Sequence, residues 1–505
     1  MKNLKLAHDL GTSANKAVLF SLEDGVITSE TAEYKLYTTG KGDAEQDAND
    51  WWQAVYETTR RITARFDANS IAAVTFSAQM QGCLCIDRNH TPLRRAMIWA
   101  DMRASKEESE LAEKISKEEY YRITGHRMSC TYGAFKLMWL KKHEPEIYNK
   151  TWKVLCAKDY AILKLCGNAA TEASDASGYG LTDIKAGCWS EHLIALCGLD
   201  ADKLPEIHHS TDIAGYVTKE AADLTGLPAG TPVVFGAGDG PCAAVGSGCV
   251  REGIAYASMG TSSWISIATK EPCYDRKMRT VSWPHVVSGY YMPCGAMQSG
   301  GGSLAWAVRE LCLPEIEEAK SIGCSKYDLT NELAAKSPCG ANQLLFLPHL
   351  LGERAPYWEE CAKGSFIGLK YAHTRADMVR AVMEGVVYHL GMILDIYREN
   401  GFHMDHLIAI GGGAKSSLWR QISASVYGIP ICTSSFSDEA CSVGAAVTAG
   451  VGIGLYHSFD VIDQFIDHNN MIHPKREEYA VYEKMSLLYQ RSYAALHSVF
   501  EELHM

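Results

Sequence analysis

The sequence lacks any concentration of positive charge. Its 505 residues carry a net charge of −12, and no run of lysines and arginines forms a basic cluster. A nucleic-acid-binding surface needs clustered positive charge, so this composition argues against nucleic acid as the main partner. A small anionic ligand would need local hydrogen-bond donors to overcome the negative background.

Long apolar segments are missing as well. The opening residues, MKNLKLAHDLG, lack the apolar core of a signal peptide. The longest weakly polar stretch, residues 441–455, is too short and too mild to span a bilayer. We therefore expect a cytoplasmic protein with no membrane partner.

The chain has 17 cysteines but no C-x-x-C pair, and the nearest approach to one is Cys83-Leu84-Cys85. Many of the cysteines, such as Cys156 and Cys197, lie in apolar runs. This usage favours buried free thiols in a reducing compartment over a disulfide framework or a metal cluster.

Two common nucleotide-binding motifs are also missing. There is no G-x-x-x-x-G-K-[ST] loop. Gly411-Gly412-Gly413 follows a predicted strand, but Ser416 stands where a dinucleotide fingerprint would have its third glycine or alanine. The three glycines still leave room for a nucleotide to lie close to the backbone.

One pattern occurs twice. Residues 8–21 read HDLGTSANKAVLFS and residues 254–268 read IAYASMGTSSWISIA, and each predicts a β-hairpin with a glycine and hydroxyls at its turn. The turns lie about half a chain apart, and 505 residues are too many for one ordinary core. We therefore predict two related domains, residues 1–248 and 249–505.

Between and after the hairpins, apolar strands alternate with helical patterns. We predict strands over 71–76, 233–235 and 407–410, and helices over 105–115, 377–399 and 417–427. Ser105 and Glu108 have capping-box spacing, and Thr374 is a candidate N-cap. This alternation predicts an α/β fold with functional sites at the strand ends.

The two glycine-hydroxyl turns suggest a clamp for phosphate, because glycine lets backbone N–H groups approach an anion closely. Asp9 beside the first turn would repel a bare phosphate, but it suits a Mg²⁺ ion lying between carboxylate and phosphate. The alternative is that each turn is an ordinary hairpin turn.

Asp239 lies in VVFGAGDGPCAAVGSG, after an apolar strand and before a run of small residues. An acid in such surroundings usually has a partner or a function. It could cap a helix beginning at Gly240-Pro241, and it could also accept the proton of an attacking hydroxyl; the two roles are compatible.

Many segments together resemble the FGGY carbohydrate kinases, and within them most closely the xylulokinase branch. The matching segments, in chain order, are DLGTS (9–13), SAQMQG (77–82), IWADMR (98–103), FKLMWLKKHEPEI (135–147), AKDY (157–160), TEASDASG (171–178), GAGDGPCAAVG (236–246), SMGTSS (258–263), FLPHLLGERAPYW (346–358), KGSFIGLKYAHTRADMVRAVMEG (363–385) and IGGGAKSSLWRQ (410–421).

The resemblance implies an actin-like ATPase fold, with two RNase H-like domains around a central cleft, and ATP-dependent phosphorylation of a sugar or polyol hydroxyl. It implies that Asp239 is the general base and that Asp9 holds Mg²⁺ through water. It places a further set of residues around ATP, namely Thr12, Ser13, Lys16, Gly260, Thr261, Gly301, Gly412, Gly413 and Ala414. Members of this family are often homodimers, although no helix here has a sustained exposed apolar seam.

For the sugar, the resemblance implies contacts from Met80, Gln81, Trp99, Asp101 and Asp239. Gln81 replaces a histidine of the xylulokinase pattern, and Gly240 replaces an asparagine. Because buried hydroxyl contacts discriminate strongly, these two changes could alter the substrate. We expect a pentulose, D-xylulose, with gluconate, a polyol such as erythritol or another pentulose as alternatives. A non-catalytic sugar-binding regulator is disfavoured, since Asp9 and Asp239 are both present.

Overall fold

A computed structural model describes residues 3–504 and contains two large mixed β-sheets. The first sheet consists of β1 (Leu4–Leu10), β2 (Ala14–Ser21), β3 (Gly25–Glu33), β4 (Ile71–Ala78), β5 (Ile213–Tyr216), β6 (Pro232–Val234) and β7 (Ala237–Gly238). The second consists of β8 (Gly253–Met259), β9 (Ser263–Ile267), β10 (Val281–Pro284), β11 (Tyr291–Met297), β12 (Met404–Ile410) and β13 (Ile431–Thr433).

The two sheets repeat one strand order. The first runs β5-β6-β4-β1-β2-β3, with β7 also pairing beside β4. The second runs β10-β11-β9-β8-β12-β13. In each, a run of antiparallel strands continues into parallel neighbours, so that β1 pairs antiparallel with β2 and parallel with β4 just as β8 does with β9 and β12. The predicted pair of hairpins and the predicted α/β repeat are confirmed.

Helices cover the sheets and connect their strands. They are α1 (Ala48–Thr63), α2 (Ser105–Ala112), α3 (Lys117–Thr124), α4 (Gly133–His143), α5 (Pro145–Lys150), α6 (Ala157–Cys166), α7 (Ala173–Ser177), α8 (Glu191–Cys197), α9 (Lys219–Thr225), α10 (Asp239–Gly246), α11 (Gly301–Leu311), α12 (Leu313–Ile322), α13 (Lys326–Ala335), α14 (Arg375–Glu399), α15 (Ser417–Tyr427), α16 (Ala440–Gly452) and α17 (Tyr479–His504).

Short elements complete the structure. Two-stranded ladders pair Glu45–Gln46 with Ala96–Met97, Leu84–Ile86 with Lys153–Leu155, Thr171–Glu172 with Ile207–His208, Thr182–Asp183 with Cys188–Trp189, and Leu345–Leu347 with Ser365–Ile367. Short 3₁₀ helices occur at Ala68–Ser70, Ala201–Lys203, Ala341–Gln343, Gly412–Lys415, Phe459–Phe465 and Arg476–Glu478.

Helices α10 and α16 cross where the two lobes meet. Ala243 and Ala244 of α10 join a core cluster with strands of the second sheet, while Val443 and Val447 of α16 join one with strands of the first. Each helix therefore connects the two halves of the chain, and their crossing sets the relation between the two sheets.

Glycines permit this crossing. A Cβ at Gly246 would lie 1.9 Å from the backbone oxygen of Ala440, and a Cβ at Gly444 would lie 1.9 Å from that of Cys242. Since no side chain fits at such distances, the two backbones can approach this closely only through glycine.

The predicted helices are found with one local correction. Helix α14 begins after Thr374, whose capping box with Asp377 is present, and α15 spans the predicted residues. The predicted capping box of Ser105 and Glu108 is wrong, because Ala104 occupies the N-cap position without a side-chain hydrogen bond. Glu108 instead accepts a hydrogen bond from the backbone N–H of Cys130 at 2.6 Å, a long-range contact that local spacing does not reveal.

All 17 cysteines are free thiols, and most are buried, as their apolar surroundings predict. Among residues 3–504, no helix combines the length and the hydropathy needed to cross a bilayer.

Candidate active site

Asp9 and Asp239 are brought together by three neighbouring strands. Asp9 of β1 lies opposite Ser77 of β4, and Ser77 lies opposite Ala237 of β7. Asp239 follows β7 directly as the first residue of α10. Both carboxylates thus lie at the carboxyl ends of the central strands, where ligands of open α/β sheets bind.

Only one oxygen of the Asp9 carboxylate has a hydrogen-bond partner among residues 3–504. Ser77 Oγ donates to its Oδ1 at 2.9 Å, while Oδ2 has no hydrogen-bond or ion-pair partner within residues 3–504. Burial raises the pKa of Asp9, and the Ser77 hydrogen bond and the Lys16 charge partly oppose that rise. One carboxylate oxygen is therefore left for an external cation or donor.

The carboxylate of Asp239 is open to solvent, although protein encloses it on most sides. Its Oδ1 accepts a hydrogen bond from the backbone N–H of Gly240 at 2.8 Å. The surrounding protein raises the pKa of Asp239 to about 6, and the negative charge of Asp9 adds to the rise. The group is thus ionised at neutral pH, yet a stronger base than an ordinary aspartate.

The first glycine-hydroxyl turn has a fixed backbone. Gly11 N–H donates across the turn to Ala14 O at 3.0 Å, and Gln46 Nε2 donates to Thr12 O at 2.6 Å. Trp99 Nε1 donates to Thr12 Oγ1 at 2.9 Å, while Ser13 is exposed. The turn therefore keeps its shape without a ligand and presents Ser13 to the solvent.

Lys16 has a partner that sequence analysis did not anticipate. Its Nζ forms an ion pair with Glu439 Oε1 at 2.9 Å, and both side chains are partly exposed. Glu439 occupies the N-cap position of α16. Lys16 of β2 is thus joined to the segment that enters the crossing helix α16.

The second glycine-hydroxyl turn is supported by helix α11. Gly301 N–H donates to Gly260 O at 2.7 Å, and Gly302 N–H donates to Thr261 O at 2.9 Å. A Cβ at Gly301 would lie 2.5 Å from Gly260 O, so the close contact requires glycine. The amino end of α11, which carries partial positive charge, therefore adjoins this turn.

The triple-glycine segment packs against the same turn. Gly411 has a φ of 84° and would place a Cβ 3.2 Å from the backbone of Met259. Gly412 is exposed, and a Cβ there would meet nothing within 4 Å. The side chain of Ala414 is buried in the core, so this residue can offer a nucleotide only its backbone.

Met80 and Gln81 form a loop beside the two carboxylates. A Cβ at Gly238, the residue before Asp239, would lie 2.4 Å from Met80 Sδ. Gln81 has a φ of 65°, an unusual conformation for a non-glycine residue, and its amide makes no hydrogen bond within residues 3–504. The loop therefore adjoins the residue that precedes Asp239, and the Gln81 amide is unengaged.

A buried lysine holds this loop. Lys136 Nζ donates to Gln81 O at 2.8 Å and to Ile98 O at 2.7 Å, so it links the segment of Gln81 to that of Trp99. Burial lowers the pKa of Lys136 to about 8. Sequence analysis missed this role, although a lysine within the apolar run FKLMWL was a signal that its charge needed partners.

Asp101 requires a correction. Its side chain is fully buried, and Oδ2 accepts hydrogen bonds from Ala44 N at 2.9 Å and from Arg103 Nη2 at 2.7 Å. A carboxylate without exposure cannot contact a substrate directly, so we assign Asp101 a supporting role. Trp99, by contrast, is 36% exposed.

A buried ion cluster supports the segment that leads to Asp239. Lys158 Nζ lies 2.8 Å from Asp175 and 3.3 Å from Glu172, with every side chain fully buried. Glu172 accepts a hydrogen bond from Ser174 Oγ, which in turn accepts one from Gly238 N–H at 2.9 Å. The motifs AKDY and TEASDASG therefore fix the residue that precedes Asp239.

The family follows from comparison with known proteins. Residues 4–246 match the N-terminal domain of the FGGY family of carbohydrate kinases, and residues 255–453 match its C-terminal domain. The chain belongs to this family. It is therefore a sugar kinase, a phosphotransferase with an alcohol group as acceptor and ATP as the family's phosphoryl donor.

Its relatives carry two different names. A gluconokinase of Bacillus licheniformis is 31% identical over 507 residues, which cover 100% of this chain and 98% of that protein. A xylulose kinase of Staphylococcus xylosus is 30% identical over 486 residues, covering 96% and 98%. The crystal structure of a xylulose kinase from Lactobacillus acidophilus superposes with a TM-score of 0.91 at 28% identity, covering 99% of both chains. The predicted actin-like architecture is confirmed.

Proposed function

We propose that the protein transfers the γ-phosphoryl group of ATP to the terminal hydroxyl of a pentulose, converting D-xylulose to D-xylulose 5-phosphate. The observation that carries this proposal is the position of Asp239, a carboxylate with a raised pKa that lies near the second carboxylate, Asp9, and directly follows Gly238, which contacts Met80. The boundary at residues 248/249, a homodimer and a cytoplasmic location stay predictions.

Asp239 is proposed as the general base. With a pKa of about 6 its carboxylate is ionised at neutral pH and can accept the proton of the acceptor hydroxyl as the O–P bond forms. Met80, Gln81 and Trp99 are proposed to contact the sugar. The Gln81 amide can both donate to and accept from hydroxyl groups, and it is unengaged in this structure.

The triphosphate is proposed to lie between the two glycine-hydroxyl turns. Backbone N–H groups and hydroxyls at Thr12, Ser13, Gly260 and Thr261 would donate hydrogen bonds to the phosphate oxygens. The exposed backbone of Gly412 would adjoin the nucleoside. Phosphoryl transfer depends on alignment and charge neutralisation, so rigid turns suit this chemistry.

Asp9 fits the requirements of a Mg²⁺ site. It offers a free carboxylate oxygen beside the first turn, and Mg²⁺ typically combines one or two carboxylates with waters and substrate phosphates. When bound, the ion would neutralise charge on the phosphate oxygens. Asp9, fixed by its hydrogen bond from Ser77, would hold the ion beside the first turn.

Gluconate is the second candidate substrate. Asp239 is followed by Gly240, which offers no side-chain contact to a ketose, and a half-buried arginine, Arg354, lacks a protein partner near the cleft. Both features would accommodate a carboxylate-bearing substrate, and the gluconokinase relative is as similar to this chain as the xylulose kinases are.

The test is a substrate panel. Purified protein with Mg²⁺ and ATP is assayed for ADP release with D-xylulose, D-gluconate, erythritol and other pentuloses, and the phosphorylated position of each product is determined by NMR. We expect the highest kcat/KM with D-xylulose and phosphate on O5. A higher kcat/KM with gluconate would replace the proposed substrate, and sugar binding without any turnover would favour a regulator.

A further inference from the structure

Arg354 is held in place by a buried network. The preceding residue, Glu353, accepts hydrogen bonds from His349 Nδ1 at 2.8 Å and from Gln298 N–H at 2.9 Å, and its Oε2 lies 3.3 Å from His389 Nε2. The Glu353 carboxylate also accepts from the backbone N–H of Arg354 itself at 2.8 Å. The backbone of Arg354 is thus fixed, and its side chain leaves a rigid base.

The Arg354 guanidinium is unpaired. It makes no hydrogen bond and no ion pair within residues 3–504, although it is partly buried and burial lowers its pKa. Two other enclosed arginines do have acidic partners: Arg380 pairs with Glu384 at 2.7 Å and Arg94 with Glu144 at 2.7 Å. An enclosed cation without a partner is unfavourable. A ligand that offers a hydrogen-bond acceptor to the Arg354 guanidinium would therefore be stabilised there.

Arg354 lies on the wall of the cleft that faces Asp239. Ala355 N–H donates to Ala296 O of β11 at 3.0 Å, which places the segment beside that strand. Further along the same face of β11, Met292 Cε would lie 3.5 Å from a Cβ at Gly240. Cys294 lies between them on the strand. Burial raises the pKa of the Cys294 thiol to about 11, while the nearby charge of Arg354 lowers that pKa and the charge of Asp239 raises it. Both charged groups therefore lie near Cys294.

A second unengaged donor faces Arg354 from the other lobe. Tyr132 precedes α4, is 6% exposed, and its hydroxyl makes no hydrogen bond within the described part of the chain. The backbone N–H of the residue after Tyr132 donates to Gly178 O. A Cβ at Gly178 would lie 3.1 Å from Gln81 N, so this part of the chain adjoins the Met80-Gln81 loop. Burial raises the pKa of Tyr132, and the nearby positive charge of Arg354 opposes the rise.

These donors suit one end of an open-chain sugar. A pentulose whose O5 receives phosphate cannot use O5 to close a furanose ring, so its C2 carbonyl is free. An aldonate likewise has an acyclic chain with a carboxylate at one end and a primary hydroxyl at the other. In both, an electron-rich oxidised end lies several carbons from the hydroxyl that reacts, and arginine is a pure donor that requires an acceptor.

We infer that Arg354 and Tyr132 bind the oxidised end of the substrate, a ketose carbonyl or an aldonate carboxylate, while Asp239 contacts the hydroxyl at the opposite end. This inference rests on the proposed function. The two residues come from opposite walls of the cleft, so substrate contact with both would also hold the lobes together. The Arg354 contact would be stronger with a carboxylate than with a neutral carbonyl.

The experiment compares oxidised with reduced substrates. The variants Arg354→Met and Tyr132→Phe, with Arg491→Met on the exposed face of α17 as a matched control, are assayed with D-xylulose, D-gluconate and xylitol. For Arg354→Met we expect kcat/KM to fall 10- to 100-fold with whichever oxidised sugar the wild type uses, the range for a hydrogen bond to a charged group. With xylitol it should fall less than about threefold.

Several outcomes would overturn the inference. Equal losses with oxidised and reduced substrates, or no loss, would do so while leaving the proposed function intact. A wild type that prefers xylitol, or that neither phosphorylates nor binds an oxidised sugar by calorimetry, would also overturn it. If the wild type prefers gluconate and Arg354→Met abolishes that preference, the inference is supported, and gluconate replaces D-xylulose as the proposed substrate. Should Arg354→Met unfold, Arg354→Lys, which keeps the charge, must retain more gluconate activity than Arg354→Gln.

Discussion

Replacing Asp239 by asparagine removes the proposed base while keeping its shape. The amide oxygen can still accept the hydrogen bond from Gly240 N–H, so the start of α10 keeps its geometry. General-base catalysis is typically worth about 10²–10⁴-fold. We therefore expect kcat to fall at least about 100-fold, measured by coupled ADP release at saturating ATP and sugar.

The pH profile tests the same assignment in the wild type. Under the proposed assignment, activity requires the ionised carboxylate of Asp239, whose pKa is raised to about 6. kcat/KM should therefore be constant above pH 7 and fall about tenfold per pH unit below pH 6, because the protonated form cannot accept the substrate proton. The residual activity of Asp239→Asn should not show this decline.

Stability supplies the control for this variant. A carboxyl whose folded-state pKa exceeds its unfolded value favours folding at low pH and disfavours it once the pH exceeds the folded pKa. Asp239→Asn should thus unfold at an equal or higher temperature than wild type at pH 7. Retention of activity within tenfold of wild type, or a flat profile between pH 5 and 7, would refute the reasoning.

A close backbone contact, a buried lysine and the proposed metal ligand give further predictions. Gly444→Ala should destabilise the fold by about 1–3 kcal/mol or more, because its Cβ would lie 1.9 Å from a backbone oxygen of α10; thermal unfolding measures this. Lys136→Met should raise KM for the sugar about tenfold or more through the loss of its bonds to Gln81 O and Ile98 O. Chelation of divalent ions should abolish turnover, and Asp9→Asn should raise the Mg²⁺ concentration needed for half-maximal rate.

Each of these has a control. Gly391→Ala in α14, where a Cβ would meet its nearest neighbours at 3.6 Å, should leave thermal stability equal or higher. An equal effect of the two glycine changes would contradict the close-crossing argument. For Lys136→Met, an unchanged KM would exclude the positioning role, and for Asp9→Asn an unchanged Mg²⁺ requirement would remove the proposed ligand.

The parts of the fold that sequence analysis predicted are those set by local patterns. The two hairpins around Gly11 and Gly260 follow from apolar strands that flank a glycine turn. The 25-residue helix α14 follows from its periodic apolar face and from the cap at Thr374. Such signals are contained within about a dozen residues.

The features that sequence analysis missed depend on contacts between distant segments. Glu439 meets Lys16 only because α16 crosses beneath the first sheet. Asp101 was expected to face the sugar, but Arg103 and the backbone of Ala44 bind it within the wall. The unpaired state of Arg354 is likewise invisible until every neighbouring acid has been placed.

The most direct test of the central claim is a crystal structure with sugar, Mg²⁺ and a non-hydrolysable ATP analogue bound together. The account predicts a carboxylate oxygen of Asp239 about 2.6–3.2 Å from the acceptor hydroxyl, with the γ-phosphate on the far side of that hydroxyl oxygen. A complex in which protein separates Asp239 from the acceptor oxygen would contradict it.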